Sequence, residues 1–167
     1  MSISISKDTA VLVVGAGIMG AGIAQIAAQA GHTVFLFDTK ENASVDAKAK
    51  LAKTLEGLVS KGKLDASTAE QALGRIQPLS ELDKASSAGL VVEAIIENLE
   101  VKRGLFKQLE VLLGKDAILA TNTSSISVTA IANGLQYPER LVGMHFFNPV
   151  PAMKLVEVIK GRLTSAD

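Results

Sequence analysis

Residues Val13 to Asp38, VVGAGIMGAGIAQIAAQAGHTVFLFD, contain the clearest fold signal of this chain. The first two residues of this stretch are the end of the run AVLVV, Ala10 to Val14. The apolar residues of this run are typical of a strand buried on both faces. Apolar and small residues then recur at helical spacing until Gly31, a residue type that favours the end of a helix. The segment HTVFLFD follows as a second buried strand. A strand, a helix and a strand within so few residues predict a βαβ unit with two parallel strands.

Within this unit, GAGIMG has the spacing G-x-G-x-x-G, and it lies between a strand and a helix as a dinucleotide-binding turn requires. Gly15 permits the tight turn, Gly17 lets the backbone approach a pyrophosphate, and Gly20 lets the helix pack against the strand. The helix N-terminus offers free N–H groups and a partial positive charge to phosphates. Ile18 and Met19 in the same turn are therefore further candidate cofactor contacts. The alternative is a glycine-rich turn that holds no ligand.

Asp38 ends the second strand, at the position where a carboxylate accepts hydrogen bonds from the ribose hydroxyls of an adenosine. The same carboxylate would repel a 2′-phosphate, and no arginine follows it closely, although Lys40 is near. The sequence therefore favours NAD over NADP as the cofactor. The alternative is a solvated aspartate at the end of a strand.

Strands and helices alternate through the rest of the chain. Residues 43–77 are predicted to form a helical hairpin inserted after the second strand. Further strands are predicted at AGLVVEAI, AILAT, RLVGMHF and MKLVEVI, and further helices at NLEVKRGLFKQLEVLLG and VTAIANG. This order predicts an α/β fold with a doubly wound, mostly parallel sheet of the Rossmann type.

Composition excludes several classes of function. The 167 residues suffice for one domain, and 17 basic residues balance 17 acidic ones, so the chain lacks the basic footprint of a nucleic-acid-binding protein. The absence of cysteine excludes disulfides and thiolate metal sites, and we expect no metal. No apolar run reaches the length of a membrane span, and the start MSISISKDT is unlike a signal peptide. We therefore expect a cytoplasmic protein that acts without nucleic acid or membrane.

The segment GMHFFNPVPAMKLVEVIKG places His145 beside two phenylalanines and Glu157 within an apolar run. Oxidation of an alcohol by a nicotinamide needs a base for the hydroxyl proton, and histidine is the usual choice near neutral pH. A carboxylate on a neighbouring strand could orient such a base. The alternative is a core histidine satisfied by a backbone carbonyl, and spacing alone leaves both open. The other histidine, His32, is expected at the surface.

Four stretches of the chain together resemble a known family. VVGAGIMGAGIAQIAAQAGHTVFLFD, VVEAIIENLEVK, TNTSSISVTAIA and GMHFFNPVPAMKLVEVIKG occur in the order found in the N-terminal domain of the 3-hydroxyacyl-CoA dehydrogenase family. The resemblance extends from about residue 8 to the end of the chain. Its most specific part is HFFNPVPxMKLVEV.

This resemblance implies roles for individual residues. It makes His145 the catalytic base, Glu157 its partner, and Ser124 the hydroxyl that hydrogen-bonds the reacting oxygen beside the nicotinamide. Asn148 would lie near the nicotinamide end of the cofactor, and an N-cap or turn role is the alternative for it and for Ser124. Further positions are implied to contact the cofactor, namely Ala94, Glu97 and Lys102, or coenzyme A, namely Thr54 and Lys61. A solvated helical face is the alternative for the coenzyme A positions.

The resemblance also implies a reaction, the NAD-dependent oxidation of (3S)-3-hydroxyacyl-CoA to 3-oxoacyl-CoA in β-oxidation of fatty acids or a related CoA-thioester pathway. Family members continue into a helical C-terminal domain, which supplies a catalytic asparagine, much of the acyl pocket and the usual dimer interface. Residues 1–167 would then be an NAD-binding domain, inactive alone, from a protein that is a homodimer at full length. The alternatives are a non-catalytic NAD-binding or structural protein of the same fold, and a dehydrogenase of the 3-hydroxyisobutyrate type, which lacks HFFNP.

Overall fold

The run AVLVV contributes an interior strand to a sheet in the computed structural model, which describes residues 5–166. The seven strands of this described part are β1 Val11–Val14, β2 Val34–Phe37, β3 Ile76–Leu79, β4 Leu90–Glu93, β5 Ile118–Thr121, β6 Leu141–Phe146 and β7 Val156–Lys160. They lie in the order β3-β2-β1-β4-β5-β6-β7. Neighbouring strands are parallel except β6 and β7, which pair antiparallel.

Helices cover both faces of the sheet. They are α1 Ile18–Gln29, α2 Ala43–Ser60, α3 Ala66–Arg75, α4 Leu99–Leu112 and α5 Val128–Ala132, with short 3-10 turns at Leu82–Ala85 and Pro138–Arg140. Three of the helices begin at a residue whose side chain accepts a hydrogen bond from the first turn: Asp65 before α3, Asn98 before α4 and Ser127 before α5. Such caps satisfy N–H groups that have no acceptor within the helix.

The alternation of side chains along β1 explains why its residues are all apolar. Val11 and Val13 pack into a core that includes buried residues of α1, α2 and α3. Leu12 and Val14 point to the other face, where the core includes Phe106 of α4 and residues of α5. The strand is therefore buried on both sides. The predicted doubly wound α/β fold is confirmed.

The structure corrects the sequence prediction at two places. Helices α2 and α3 occupy the region of the predicted hairpin, but Ile76 and Gln77 belong to β3, which lies at an edge of the sheet parallel to β2. Pro78 obscured this strand because proline lacks an N–H, yet an edge strand tolerates it. The predicted strand at MKLVEVI also begins later, at Val156, because Met153 closes a turn by donating its N–H to the carbonyl of Pro149.

The order of the strands reverses between β1 and β4, which are neighbours although two strands separate them in sequence. In open α/β sheets, ligands bind at such a switch point, outside the carboxyl ends of the strands. The turns after β1, β4, β5 and β6 all meet at this edge. In the part of the chain that the structure describes, no helix combines the length and apolar character needed to cross a membrane.

Candidate active site

At two positions of the turn between β1 and α1, any side chain larger than that of glycine would clash with neighbouring backbone. Gly15 has a φ of +107°, and a Cβ there would overlap the carbonyl of Ala94 at the end of β4. A Cβ on Gly20 would overlap the carbonyl oxygen of Gly15. Both positions therefore exclude side chains so that β4, the turn and the first turn of α1 can lie in contact. Ala94, predicted as a cofactor contact, takes part in this packing through its backbone.

Gly17 is glycine for a different reason. A Cβ there would meet nothing within 4 Å, so the packing of the protein does not require its absence. Gly17 is the N-cap residue of α1, no side chain caps that end, and the first turn contains no acidic residue. The N–H groups and partial positive charge of the helix end are therefore left for an anion. Beside it Ile18 is 79% exposed, while Met19 is partly buried.

The carboxylate of Asp38 is directed toward the same turn. Its Oδ2 accepts a hydrogen bond of 2.7 Å from the N–H of Ala16, and its Oδ1 accepts one of 2.9 Å from the N–H of Lys40. The backbone thus fixes the orientation of the carboxylate, and each oxygen retains a lone pair for a further donor. Asp38 and Gly17 line two adjoining cavities, so the carboxylate lies where ribose hydroxyls could reach it.

One of these cavities, of about 700 Å³, extends from Asp38 toward the loop after β4. Several apolar residues that sequence reasoning did not single out line it, namely Phe37, Leu82, Ile95, Ile96, Val101 and Leu105. Ile96 is 67% exposed and Val101 is 44% exposed. Apolar walls next to a carboxylate that can bind ribose suit an aromatic base. The signal in the sequence was the apolar pair of IIEN, which continues past the end of a buried strand.

The structure brings His145 and Glu157 together. They are paired residues of the antiparallel strands β6 and β7, and Nδ1 of His145 lies 2.9 Å from Oε2 of Glu157. Because an ionised carboxylate only accepts hydrogen bonds, Nδ1 carries the proton and Nε2 keeps a lone pair. The ring of Phe147 packs against the imidazole with a centroid distance of 4.6 Å. The histidine is therefore held by its partner and its neighbour, with one nitrogen available as a base.

His145 lines two small cavities of about 360 Å³ each. The first gathers six of the residues predicted to contact the cofactor, namely Met19, Ala94, Glu97, Lys102, Ser124 and Asn148. The second lies on the side of Glu157 and also contains Ser124. His145 and Ser124 are thus shared by a cavity that faces the glycine turn and one that faces β7. A hydroxyl and an imidazole shared in this way can act on a substrate placed between the cavities.

A buried ion pair lies at the wall of the first cavity. The carboxylate of Glu93 at the end of β4 is fully buried, and Nζ of Lys102 lies 2.5 Å from its Oε1. Glu93 also accepts hydrogen bonds from the N–H of Ile95 at 2.8 Å and the hydroxyl of Thr121 at 2.7 Å. Lys102 reaches Glu97 at 3.3 Å as well. The lysine predicted to contact the cofactor therefore has two carboxylate partners, and sequence reasoning missed Glu93.

Glu97 holds the loop that carries Ser124. Its Oε1 accepts hydrogen bonds from the hydroxyls of Thr123 and Ser125, which flank that serine. Partial burial alone would raise the pKa of Glu97, but the hydrogen bond from Thr123 and the charge of Lys102 outweigh it and lower the pKa below 4.5. Glu97 is therefore ionised at neutral pH and fixes both sides of the loop.

The two residues expected at coenzyme A lie in different places on α2. The smaller of the two cavities beside Asp38, of about 450 Å³, is lined by Thr54 together with Lys40 and Lys50. Lys61 is the C-cap residue of the helix and is not part of that cavity lining. The structure thus brings Thr54 to the cofactor edge and leaves Lys61 beyond it. Among residues 5–166, no group of three acidic or histidine side chains is arranged to hold a metal ion.

Comparisons with known proteins agree with a dinucleotide site at this edge of the sheet. The family model described as "3-hydroxyacyl-CoA dehydrogenase, NAD binding domain" matches residues 10–167. The 3-hydroxyadipyl-CoA dehydrogenase of Escherichia coli (strain K12) is 48% identical over 157 residues, covering 94% of this chain and 33% of that protein. The 3-hydroxybutyryl-CoA dehydrogenase of Clostridioides difficile is 44% identical over 153 residues, covering 92% and 54%.

A solved structure is similar as well. The crystal structure of 3-hydroxybutyryl-CoA dehydrogenase from Escherichia coli K12 superposes with a TM-score of 0.93 at 47% identity, covering 95% of this chain and 34% of that chain. The chain therefore spans between one third and about half of the length of these relatives. The resemblance seen in the four sequence stretches is confirmed.

Proposed function

The chain belongs to the 3-hydroxyacyl-CoA dehydrogenase family as its NAD-binding domain, and from that premise we propose that it serves the NAD-dependent oxidation of (3S)-3-hydroxyacyl-CoA to 3-oxoacyl-CoA. One observation carries the proposal. The hydrogen-bonded pair of His145 and Glu157 adjoins a cavity that also contains Ser124 and Asn148, at the edge of the sheet that holds the glycine turn. A base and a hydroxyl group are therefore placed beside the features that suit a dinucleotide.

The residues at this edge fit NAD. The bare backbone of Gly17 and the uncapped end of α1 suit a pyrophosphate, the carboxylate of Asp38 suits ribose hydroxyls, and the apolar cavity beyond it suits adenine. When bound there, NAD supplies the acceptor for the hydride that leaves C3 of the substrate. The protein supplies orientation and proton transfer.

In the proposed reaction, Nε2 of His145 receives the hydroxyl proton of the substrate while the C3–H bond breaks and the carbonyl forms. The imidazolium that results lies 2.9 Å from the carboxylate of Glu157, whose negative charge stabilises it. The hydroxyl of Ser124 can donate a hydrogen bond to the reacting oxygen from the same cavity. Asn148, which lines the same cavity, would lie near the nicotinamide end of the cofactor.

We further propose that the acyl-CoA contacts α2 through Thr54 and Lys61, and that the protein acts in the cytoplasm as a homodimer without nucleic acid or membrane. A role in fatty acid β-oxidation or a related CoA-thioester pathway suits this substrate class. We also propose that residues 1–167 alone turn over poorly, because Glu157 is half exposed and apolar side chains beside it face solvent. A second wall over β7 would be needed to hold the acyl group in a reactive position.

The proposal is tested by following NADH absorbance with the protein encoded by the complete reading frame. 3-Hydroxybutyryl-CoA is compared with free 3-hydroxybutyrate as a matched substrate without the thioester, and NAD+ with NADP+. We expect turnover of the thioester with NAD+ and little with the free acid. Saturable NAD+ binding without turnover of any 3-hydroxyacyl-CoA would indicate a non-catalytic NAD-binding protein instead. Equal turnover of the free acid would indicate a different class of dehydrogenase.

A further inference from the structure

Gly22 lies two residues beyond the G-x-G-x-x-G motif, in the first half of α1, and it is buried. A Cβ at this position would lie 2.8 Å from Cβ and 3.1 Å from Cγ2 of Val150, and 3.6 Å from Cδ of Pro151. Non-bonded carbon atoms in folded proteins do not approach to 2.8 Å, so a side chain here would force the two segments apart. The segment after β6 thus lies directly on the backbone of α1.

That segment also carries Asn148. Val150, two residues further on, is 5% exposed and belongs to the core beneath α1. The carbonyl of Pro149 accepts hydrogen bonds of 3.0 Å from the N–H groups of both Ala152 and Met153, which closes a tight turn. A displacement of Val150 therefore cannot be absorbed easily on the C-terminal side of the segment.

The other side of the segment is also fixed. The N–H of Phe146 donates a hydrogen bond of 2.9 Å to the side chain of Asn122, which follows β5. Asn148 is therefore held between one anchor at Phe146 and another at Val150. Since Asn148 and His145 line the same cavity, any shift of the second anchor changes the shape of that cavity.

We infer that Gly22 is a positioning residue for the nicotinamide end of the site. Because Gly22 has no side chain, Val150 can pack directly against the backbone of α1. This contact sets the position of Asn148 relative to the glycine turn and His145. The inference rests on the proposed function for its effect on turnover, whereas its effect on NAD+ affinity is independent of the substrate. Gly22, which lies two residues beyond the G-x-G-x-x-G motif, thus acts through the segment after β6.

The test compares Gly22→Ala with Gly57→Ala in the protein encoded by the complete reading frame. Gly57 is a matched control because it also lies within a helix, and a Cβ there meets nothing within 4 Å. The measurements are the dissociation constant for NAD+, the turnover of 3-hydroxybutyryl-CoA, and the melting temperature. We expect Gly22→Ala to weaken NAD+ binding and to lower turnover about tenfold or more, as a misplacement approaching 1 Å in a site can do. Gly57→Ala should leave both unchanged.

A size exchange separates positioning from a general loss of stability. In Gly22→Ala/Val150→Gly, the methyl group on the helix occupies space that the valine side chain vacates. We expect this double variant to bind NAD+ more tightly than either Gly22→Ala or Val150→Gly. If Gly22→Ala fails to fold, the comparison of the double variant with Val150→Gly remains decisive.

Two outcomes would overturn the inference: NAD+ affinity and turnover of Gly22→Ala within twofold of the unmodified protein, or a double variant no better than the single ones. Failure of the proposed function gives a different pattern. The unmodified protein would then lack turnover, while the NAD+ affinities of the variants would still follow the order expected from the contact between Gly22 and Val150.

Discussion

His145 and Glu157 illustrate how much a single register position decides. The two residues are opposite each other on β6 and β7, and side chains at such positions lie on the same face of the sheet. A shift of the register by one residue would move Glu157 to the other face and leave the imidazole without its partner. The 2.9 Å contact therefore depends on the antiparallel pairing of the last two strands as much as on the residues themselves.

The proposed roles of this pair predict a loss of turnover without a loss of cofactor affinity. His145→Ala should lower turnover at least about 10²-fold, the usual scale for removal of a general base. Glu157→Gln should also lower it, because the amide lacks the charge that stabilises the imidazolium. The measurements are steady-state turnover and NAD+ titration, with His32→Ala as the matched histidine control. If both variants lost NAD+ affinity while turnover per bound cofactor survived, the pair would be structural.

The buried pair of Glu93 and Lys102 makes a prediction about stability. Lys102→Met should lower the free energy of unfolding by about 3–5 kcal/mol, because it leaves the Glu93 carboxylate buried without its countercharge. Glu93→Gln/Lys102→Met should recover most of this loss, since no buried charge then remains in the pair. Urea unfolding of the single and double variants measures both values. Losses that simply add in the double variant would show that the two charges do not depend on each other.

At the scale of elements, β1, α1 and β2 bring together three features that suit the adenosine half of NAD. The glycine turn follows β1, the uncapped helix end belongs to α1, and Asp38 follows β2. All three are local in sequence, with Gly15 and Asp38 only 23 positions apart. This proximity is why a single stretch of sequence could predict both the fold and the cofactor.

Asp38 should accordingly control the choice between NAD and NADP. A hydrogen bond to a charged group contributes about 1.5–3 kcal/mol, so NAD+ should bind at least about tenfold more tightly than NADP+, whose 2′-phosphate the carboxylate repels. Asp38→Ala should narrow this ratio, whereas Asp116→Ala, at an exposed aspartate before the amino end of β5, should not. Titration of both cofactors onto each variant gives the ratios. Equal affinities in the unmodified protein would contradict the role given to Asp38.

Features that depend on distant pairing were harder to predict. The strand β3 was hidden because its residues continue from a helix and include Pro78, and its burial follows only from the position of β2 beside it. Sequence spacing alone did not predict whether His145 and Glu157 are in contact, because the sequence of neither strand determines the register in which β6 and β7 pair. In the sequence, Glu93 is only the last residue of a strand. The structure shows that Lys102, nine residues later on α4, donates a hydrogen bond to its carboxylate.

In the molecule as a whole, one edge of the sheet collects the candidate cofactor site and the proposed base. The turns after β1, β4, β5 and β6 converge there, and the antiparallel β7 adds the carboxylate partner. The same strand leaves Val158 66% exposed and Ile159 39% exposed, beside Leu155 at 57%. Exposed apolar side chains on the strand that carries Glu157 suit closure by further protein, and the relatives that this chain matches are about two to three times its length.

We propose that, at this edge of the sheet, a hydride passes from C3 of a 3-hydroxyacyl-CoA to NAD+ while His145 takes the hydroxyl proton. The most direct measurement uses 3-hydroxybutyryl-CoA deuterated at C3 with the protein encoded by the complete reading frame, followed by mass spectrometry of the reduced cofactor. We predict one deuterium in each NADH formed, and a rate of labelled NADH formation at least about 10²-fold lower with His145→Ala although NAD+ still binds. Reduced cofactor without deuterium, or an undiminished rate of labelled NADH formation by the His145 variant, would contradict this mechanism.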